Sequence, residues 1–329
     1  MYKNLKQHRF FKVFRNLYRF LKYCIYNDKY IREFEIAKSE IARIKDQTLV
    51  LNIFNYCHEF PELRENYKTE LSYLINNPAN IIFPYKQLKK LESVQSGYDN
   101  KRKLPYVIHN GKKLYFPKTW TVNSAVSTYT NFIENENILG GSYKEKSPHQ
   151  YESDTFRVNE SDVLMDIGCA EGLFALHVID RVKKIYLIES DVFWIEALTA
   201  TFEPYKNKVE IINKLISDID TEKTITLTSI LKKELTSSLF IKMDIEGYEV
   251  AVLKDSKDIL NKISDIRIAC CSYHKQTDAE ELTKIFTSMD YEMEFSDGYM
   301  LFIFDELKPP YFRKGVIRAK HCRKMENNF

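Results

Sequence analysis

The sequence predicts an α/β protein with a doubly wound, mostly parallel sheet of seven strands and a terminal antiparallel hairpin. A mainly helical N-terminal region with its own β-hairpin precedes it. Three observations carry this prediction. From about Asp162 onward, short apolar runs alternate with helical segments, the pattern of a parallel sheet with helices on both faces. Asn110-Gly111 stands between Tyr106-Val107-Ile108-His109 and Lys112-Lys113-Leu114-Tyr115-Phe116, and Asn-Gly supplies the two positive φ angles of a type I′ hairpin turn. The formal charge of +3 conceals an uneven distribution, since the acidic residues concentrate beyond residue 150. These features divide the chain into a basic N-terminal region (1–115), a connector (116–160), an α/β domain (161–306) and a basic tail (307–329).

Taken in order, residues 1–26 carry Lys3, Lys6, Arg9, Lys12, Arg15, Arg19 and Lys22, with Phe10, Phe14, Leu17 and Leu21 on one helical stripe. Such a helix either packs its aromatic stripe on the rest of the protein or lies on an anionic membrane surface. A second helix is expected from Lys29 to Lys45. A third opens at Pro61 and stops at Asn76-Asn77-Pro78. The stretch from Trp120 to Tyr151 is irregular and reads as a connector that contributes to a pocket. Strands are then expected at Val163–Met165, Ile185–Ile188, Val209–Ile212, Leu239–Met243 and Ile266–Ser272. Helices are expected at Leu173–Val182, Trp194–Phe202, Val250–Leu260 and Asp278–Met289. Glu292–Phe295 and Tyr299–Phe304 are expected to pair across Ser296-Asp297-Gly298.

Composition narrows the function. The 49 Lys and Arg nearly balance the 46 Asp and Glu, unlike a uniformly basic nucleic-acid binder. No apolar run approaches the ~18 residues of a membrane span, and the basic N-terminus lacks the apolar core of a secretory signal. The cysteines Cys24, Cys57, Cys169, Cys270, Cys271 and Cys322 show no metal-ligand spacing, so free thiols in a reducing cytoplasm are expected. The localisation expected is cytoplasmic, with peripheral contact at the inner membrane surface as the open alternative for residues 1–26.

Only nine glycines occur, so their positions carry weight. Two fall in Asp166-Ile167-Gly168-Cys169-Ala170-Glu171-Gly172, which ends the first strand of the α/β region. A small-residue turn there lets the backbone approach a ligand, and the helix beyond favours an anionic group. The nicotinamide fingerprint G-x-G-x-x-G fails, because Ala170 and Leu173 stand where its second and third glycines belong. Glu189 ends the second strand, where a carboxylate can accept hydrogen bonds from both hydroxyls of a ribose. The fourth strand runs into Lys242-Met243-Asp244-Ile245-Glu246-Gly247-Tyr248-Glu249.

Asp-x-Gly-x-x-x-Gly resembles the first motif of class I S-adenosylmethionine-dependent methyltransferases, which have a Rossmann-like fold. Lys-x-Asp-x-Glu-Gly-x-Glu at the end of strand four resembles the signature of the FkbM-type methyltransferases. The resemblance covers about residues 145–318, including Ser147-Pro148-His149 and Arg313-Lys314-Gly315-Val316-Ile317-Arg318. It implies S-adenosylmethionine as cofactor, with Asp166, Gly168, Cys169, Ala170, Glu171 and Gly172 around its amino-acid part. It also implies Ser217 and Asp218 near the adenine amine, and Asp244 beside the cofactor. The family's O-methyltransferases act on sugars, polysaccharide precursors and polyketide-type products, so a small-molecule or glycan hydroxyl is the acceptor implied.

An alcohol acceptor gains from a general base. His274 follows the fifth strand at the same sheet edge, and imidazole ordinarily titrates near ~6.5. His274 is therefore the expected base, with Asp244 or Glu246 orienting it or the acceptor. His149, Glu246 and His274 are expected to contact the substrate, whereas His177, inside a helix, is expected to be structural. Asp244, Glu246 and His274 are also of the types that hold Mg²⁺ or Mn²⁺, although no metal is expected. Lys308-Pro309-Pro310-Tyr311 is similar to a base-methylation motif but follows the last strand, so no nucleic-acid partner is expected. A non-catalytic binding or scaffold protein on the same fold, and a nicotinamide oxidoreductase, are the rival readings. Retention of Gly168, Gly172 and Glu189 argues against the first, and the glycine spacing against the second. Oligomeric state is not legible from these motifs.

Overall fold

The computed structural model describes residues 28–77, 81–85, 91–140, 147–234, 236, 238–303 and 307–322. The basic stripe of residues 1–26, Cys24, Gly141, Phe304 and the cations Arg323 and Lys324 lie outside them.

The α/β region forms a seven-stranded sheet. Its strands are β4 (Val163–Ile167), β5 (Lys184–Ile188), β6 (Val209–Ile212), β9 (Ser238–Met243), β10 (Asp265–Cys271), β11 (Glu292–Phe295) and β12 (Val316–Cys322). Their order is β11-β12-β10-β9-β4-β5-β6. The pairs from β10 across to β6 are parallel, and β12 runs antiparallel to both its neighbours. The chain leaves β4 toward β5 and β6 on one side and returns through β9 and β10 on the other. The order therefore reverses between β4 and β9, the place where an open α/β sheet leaves a crevice at its carboxyl edge.

Strand alternation sends Leu164, Leu187 and Phe240 to one face and Val163, Met165, Ile167 and Ile241 to the other. The first face packs on α5 (Leu173–Val178) and α6 (Val192–Phe202). The second packs on α7 (Leu227–Lys233), α8 (Glu249–Leu260) and α9 (Asp278–Thr287). Cover on both faces explains why the central strands read as continuous apolar runs. A short parallel ribbon, β7 (Leu215–Ser217) with β8 (Thr224–Thr226), follows β6.

The antiparallel C-terminal strands are present, but the expected pairing of Glu292–Phe295 with Tyr299–Phe304 is not. β11 pairs instead with Val316–Cys322, part of the stretch expected as a basic tail. Residues 296–315 form the excursion between them, and Met300 makes only an isolated bridge to Arg313.

The N-terminal region starts with α1 (Asp28–Glu59), which extends well past the expected Lys45, followed by α2 (Pro61–Asn66) and α3 (Lys68–Asn76). Tyr67 breaks the single helix expected from Pro61. These helices bury Ile53, Cys57, Tyr67, Leu71 and Leu74 against Leu301 and Phe312 of the C-terminal excursion. A small sheet, β1 (Ser96–Asp99), β2 (Leu104–His109) and β3 (Lys112–Tyr115), turns at Asn110 and Gly111 with φ of 50° and 77°, as its sequence requires. Its Val107 and Leu114 join the core over the first face of the main sheet. His109 pins it there, with Nε2 3.0 Å from Nδ1 of His177 on α5 and Nδ1 2.9 Å from the Tyr129 hydroxyl. His177 is thus structural, as expected. Burial holds His109 down to about 3, so it is a neutral bridge.

The expected connector contains α4 (Val122–Thr130), capped by the Thr121 hydroxyl accepting from the Ser124 amide at 3.0 Å. One wider π-turn, Asn131–Asn135, continues it. Such turns are frequent at functional sites, and this one delivers Asn131 and Glu136 to the cavity described next.

Candidate active site

Asp166 on β4 and Lys242 on β9 are register partners at the point where the strand order reverses. Their side chains pair at 3.2 Å, both almost fully buried. Lys242 also donates to the Gly168 carbonyl at 2.6 Å, tying the glycine loop to strand β9. Burial opposes the Lys242 charge, but Asp166 and Asp244 more than offset that and keep it protonated.

The loop after β4 is tightly constrained. Gly168, Ala170 and Gly172 have φ of 69°, 45° and 80°. A Cβ on Gly168 would stand 1.9 Å from the Asp244 carbonyl oxygen. Ala170 holds a left-handed conformation costly for a side chain, a strain that concentrates at ligand clamps. Its amide donates to Glu189 Oε2 at 2.9 Å, and the Asp191 amide donates to Oε1 at 2.8 Å. Glu189 is therefore fixed against the glycine loop. Glu171 is buried and pushed up to about 7 by that burial. Burial likewise raises the Cys169 thiol, leaving it neutral. Ser217 and Asp218 stand at the end of β7, where the Ser217 hydroxyl donates to Asp218 at 3.0 Å. Both lie outside the histidine cluster that follows.

Asp244, just beyond β9, is the hub of that cluster. Its Oδ1 accepts from the Tyr273 hydroxyl at 3.1 Å and lies 3.3 Å from His274 Nε2. Its Oδ2 accepts from the Tyr151 hydroxyl at 3.2 Å and lies 3.6 Å from His149 Nε2. His149 Nδ1 faces Glu136 Oε2 at 3.0 Å, and His274 Nδ1 faces Glu249 Oε1 at 3.0 Å. Each imidazole thus lies between two carboxylates. Burial works against their charge, but the hydrogen bonds to the flanking acids prevail and raise His149 to about 9 and His274 to about 10. Burial also opposes the Asp244 charge, but the two imidazoles and Lys242 hold its carboxyl well below the usual range. An imidazole near its ordinary value was the expectation for His274. The structure corrects it, because Glu249 supplies a second carboxylate from the start of α8.

A cavity of about 550 Å³ opens over this cluster. Asp244, Glu246, His149, His274, Tyr273, Asn131 and Glu136 supply its polar wall, and Ile82, Phe83, Met300 and Phe302 its apolar wall. The three expected substrate residues, His149, Glu246 and His274, all face it. Glu246 stands at the rim with an 86% exposed side chain, 3.8 Å from His274 Nε2. Its φ is 56°, so both loops beside the crevice hold a non-glycine residue in the left-handed region. Among the described residues, the acid-imidazole groups close enough to share an ion are His149-Asp244-Cys271 and Asp244-Glu249-His274. Glu249 thus stands where the sequence reading placed Glu246.

The sequence reading missed Tyr151, Tyr273, Lys242, Glu136 and Glu249 as members of the site. It also missed what holds them. Arg313 donates to the carbonyls of Tyr273 and His274 at 2.6 and 2.7 Å. Arg318 donates to those of Gln150 and Tyr151 at 2.7 and 3.2 Å. Both arginines are buried. A Cβ on Gly315 would stand 1.7 Å from the Pro148 carbonyl oxygen, so the Ser147-Pro148-His149 segment rests directly on backbone. The residues expected as a tail are the bracket of the site.

A family model described as the methyltransferase FkbM domain matches residues 61–293. Among solved structures, a methyltransferase FkbM from Methylobacillus flagellatus KT is 20% identical, with a TM-score of 0.41 over 51% of this chain and 45% of that one. The chain therefore spans less than half the length of that protein. A precorrin-6y C5,15-methyltransferase from Geobacter metallireducens GS-15 is 10% identical, with a TM-score of 0.35 over 51% and 84%. An rRNA methylase from Streptococcus thermophilus is 8% identical, with a TM-score of 0.34 over 50% and 90%. None of the curated proteins compared matches the sequence.

Proposed function

We infer that this chain, which belongs to the methyltransferase FkbM domain family, transfers the methyl group of S-adenosylmethionine to a hydroxyl of a sugar or glycan precursor. One observation carries the reading. Asp244 abuts Gly168 of the glycine loop through its backbone, while its carboxylate gathers His149 and His274 at the wall of the cavity. A cofactor loop and an acceptor cavity thus share one residue.

The residues around the crevice fit the cofactor. Each Glu189 oxygen takes a single backbone N–H and keeps an acceptor position for a ribose hydroxyl. Ala170 holds its strained φ through the Glu189 contact, which keeps the loop in shape before anything binds. Glu189 and Asp244 supply negative charge on either side of that loop, which favours a cation. S-adenosylmethionine supplies an electrophilic methyl group on a positively charged sulfur. Ser217 and Asp218 are the proposed contacts for its adenine.

The cavity suits a neutral polyol. Phe83, Phe302 and Met300 offer apolar surface to the C–H faces of a sugar, and Asn131, Glu136 and Glu246 offer hydrogen-bonding groups to its hydroxyls. Its volume lies within the ~300–1,000 Å³ usual for small-molecule sites. The carboxylates at its wall disfavour a polyanionic acceptor such as nucleic acid. His274 is the proposed base, and it must lose its proton before it can take one from the acceptor. Positive charge beside Asp244 offsets the carboxylate that holds this proton and so lowers the barrier to its release. His149, with Nδ1 3.0 Å from Glu136 and Nε2 3.1 and 3.2 Å from the Tyr151 and Tyr273 hydroxyls, stays charged and positions the acceptor.

The test is transfer of label from methyl-labelled S-adenosylmethionine to a panel of sugars, nucleotide sugars and oligosaccharides. Label on a sugar oxygen with the wild type, lost in His274→Gln, supports the reading. Label confined to nitrogen or to nucleic acid overturns it.

A further inference from the structure

Among the described residues, the body of the protein covers only one face of helix α1. Leu49, Val50, Ile53, Phe54 and Cys57 pack inward against the C-terminal excursion. Residues 32–45 are exposed throughout. On the side away from the body runs a seam of Phe34, Ala37, Ile41, Ile44, Thr48 and Leu51, at alternating intervals of three and four residues. Phe34, Ile41, Ile44 and Leu51 are 67%, 55%, 56% and 63% exposed. Among the described residues, Ile36 is the other large exposed apolar side chain in the helix, and it lies off the seam. This interval is the heptad spacing of a coiled coil, with Phe34, Ile41 and Thr48 in the first core position and Ala37, Ile44 and Leu51 in the second. Among the described residues nothing covers residues 32–45, and helices in proteins draw most of their stability from packing an apolar face.

The charges flanking the seam decide what covers it. One flank carries Glu33 and Glu40, and the other Lys38 and Lys45. In a parallel pair of these helices, each flank of one copy meets the opposite flank of the other. Glu33 then faces Lys38 of the second copy, and Glu40 faces Lys45. An antiparallel pair would set Glu against Glu and Lys against Lys. The within-helix contact of Lys38 with Glu35 is 3.8 Å long and exposed, so it holds Lys38 only weakly.

We propose that residues 33–51 of α1 pair with the same residues of a second copy of this chain as a parallel two-stranded coiled coil. The seam faces away from the body of its own chain, so the two bodies sit outside the pair. The pairing segment lies outside the family match at 61–293, so it links two methyltransferase domains.

Light scattering and sedimentation of the full chain test this. A concentration-dependent shift from 39.0 kDa toward twice that mass is expected. Combined Glu33→Lys and Glu40→Lys should raise the dimer Kd by about tenfold or more, the equivalent of about 1.4 kcal/mol. Adding Lys38→Glu and Lys45→Glu should restore pairing. Ile44→Cys should give a disulfide-linked dimer on oxidation that the wild type does not, since equal core positions meet only in a parallel, in-register pair. A monomer at every concentration up to ~100 μM overturns the proposal and shows that the seam is covered from within the chain or not at all. A dimer indifferent to the charge reversal, with no Ile44→Cys cross-link, overturns it equally.

Discussion

The carbonyl oxygen of Asp244 occupies the space where a side chain at Gly168 would begin, 1.9 Å from the ideal Cβ position. The glycine loop and the chain leaving β9 are thus in direct backbone contact, closed further by Lys242 donating to the Gly168 carbonyl. Gly168→Ala should cost about 2–4 kcal/mol, combining a left-handed alanine with overpacking against backbone. Thermal unfolding should show the loss. Binding of S-adenosylhomocysteine should fall with it, because Asp244 and the loop must move apart.

The protonation of His274 sets a pH dependence. Its folded value is raised to about 10, and only the neutral ring can accept a proton. The base form therefore grows as pH rises, and kcat/KM for an alcohol acceptor should climb above neutrality. Bound positive charge shifts the midpoint below 10. His274→Gln should lower kcat by ~10²–10⁴-fold and remove the alkaline climb. A pH–rate profile of both proteins checks this.

Arg313 acts on the site through backbone, holding the carbonyls of Tyr273 and His274. Arg313→Met should leave those carbonyls short of a donor at a cost of about 1–3 kcal/mol. The expected outcome is a folded protein with lower kcat and a displaced alkaline limb, since the His274 to Asp244 distance is no longer fixed. An unchanged pH profile would limit Arg313 to fold stability.

The hairpin contact predicts acid sensitivity. His109 is depressed to about 3 when folded and returns to ~6.5 when unfolded. The unfolded state therefore binds more protons between those values, so stability is lost as pH falls from about 6.5 toward 3. His109→Asn should flatten that part of the curve of denaturation midpoint against pH.

Much of the fold is legible because two-sided burial writes it into the sequence. β4, β5, β9 and β10 are apolar runs, and Asn110-Gly111 fixes its hairpin locally. β12 is not legible for the opposite reason. Arg318, Lys320 and His321 make it resemble a solvated tail, and the Arg318 charge is balanced by carbonyls and Glu294 far away in sequence. In the site, Asp244, His149 and His274 are legible by type and by their place at strand ends or in a family motif. The phenols of Tyr151 and Tyr273 are not, because nothing in Gln150-Tyr151-Glu152 or Ser272-Tyr273-His274 marks two hydroxyls that converge on Asp244 from 122 residues apart. Nor is the charge on His274 legible, since it depends on Glu249 reaching back from the next helix.

Calorimetric titration with S-adenosylhomocysteine tests the central claim most directly. The wild type should bind it saturably at micromolar concentration. Glu189→Ala should bind about tenfold or more weakly, as loss of hydrogen bonds to a charged group implies. Failure of the folded wild type to bind, or equal binding by both proteins, would contradict the assignment of Gly168–Gly172 and Glu189 as the cofactor cradle.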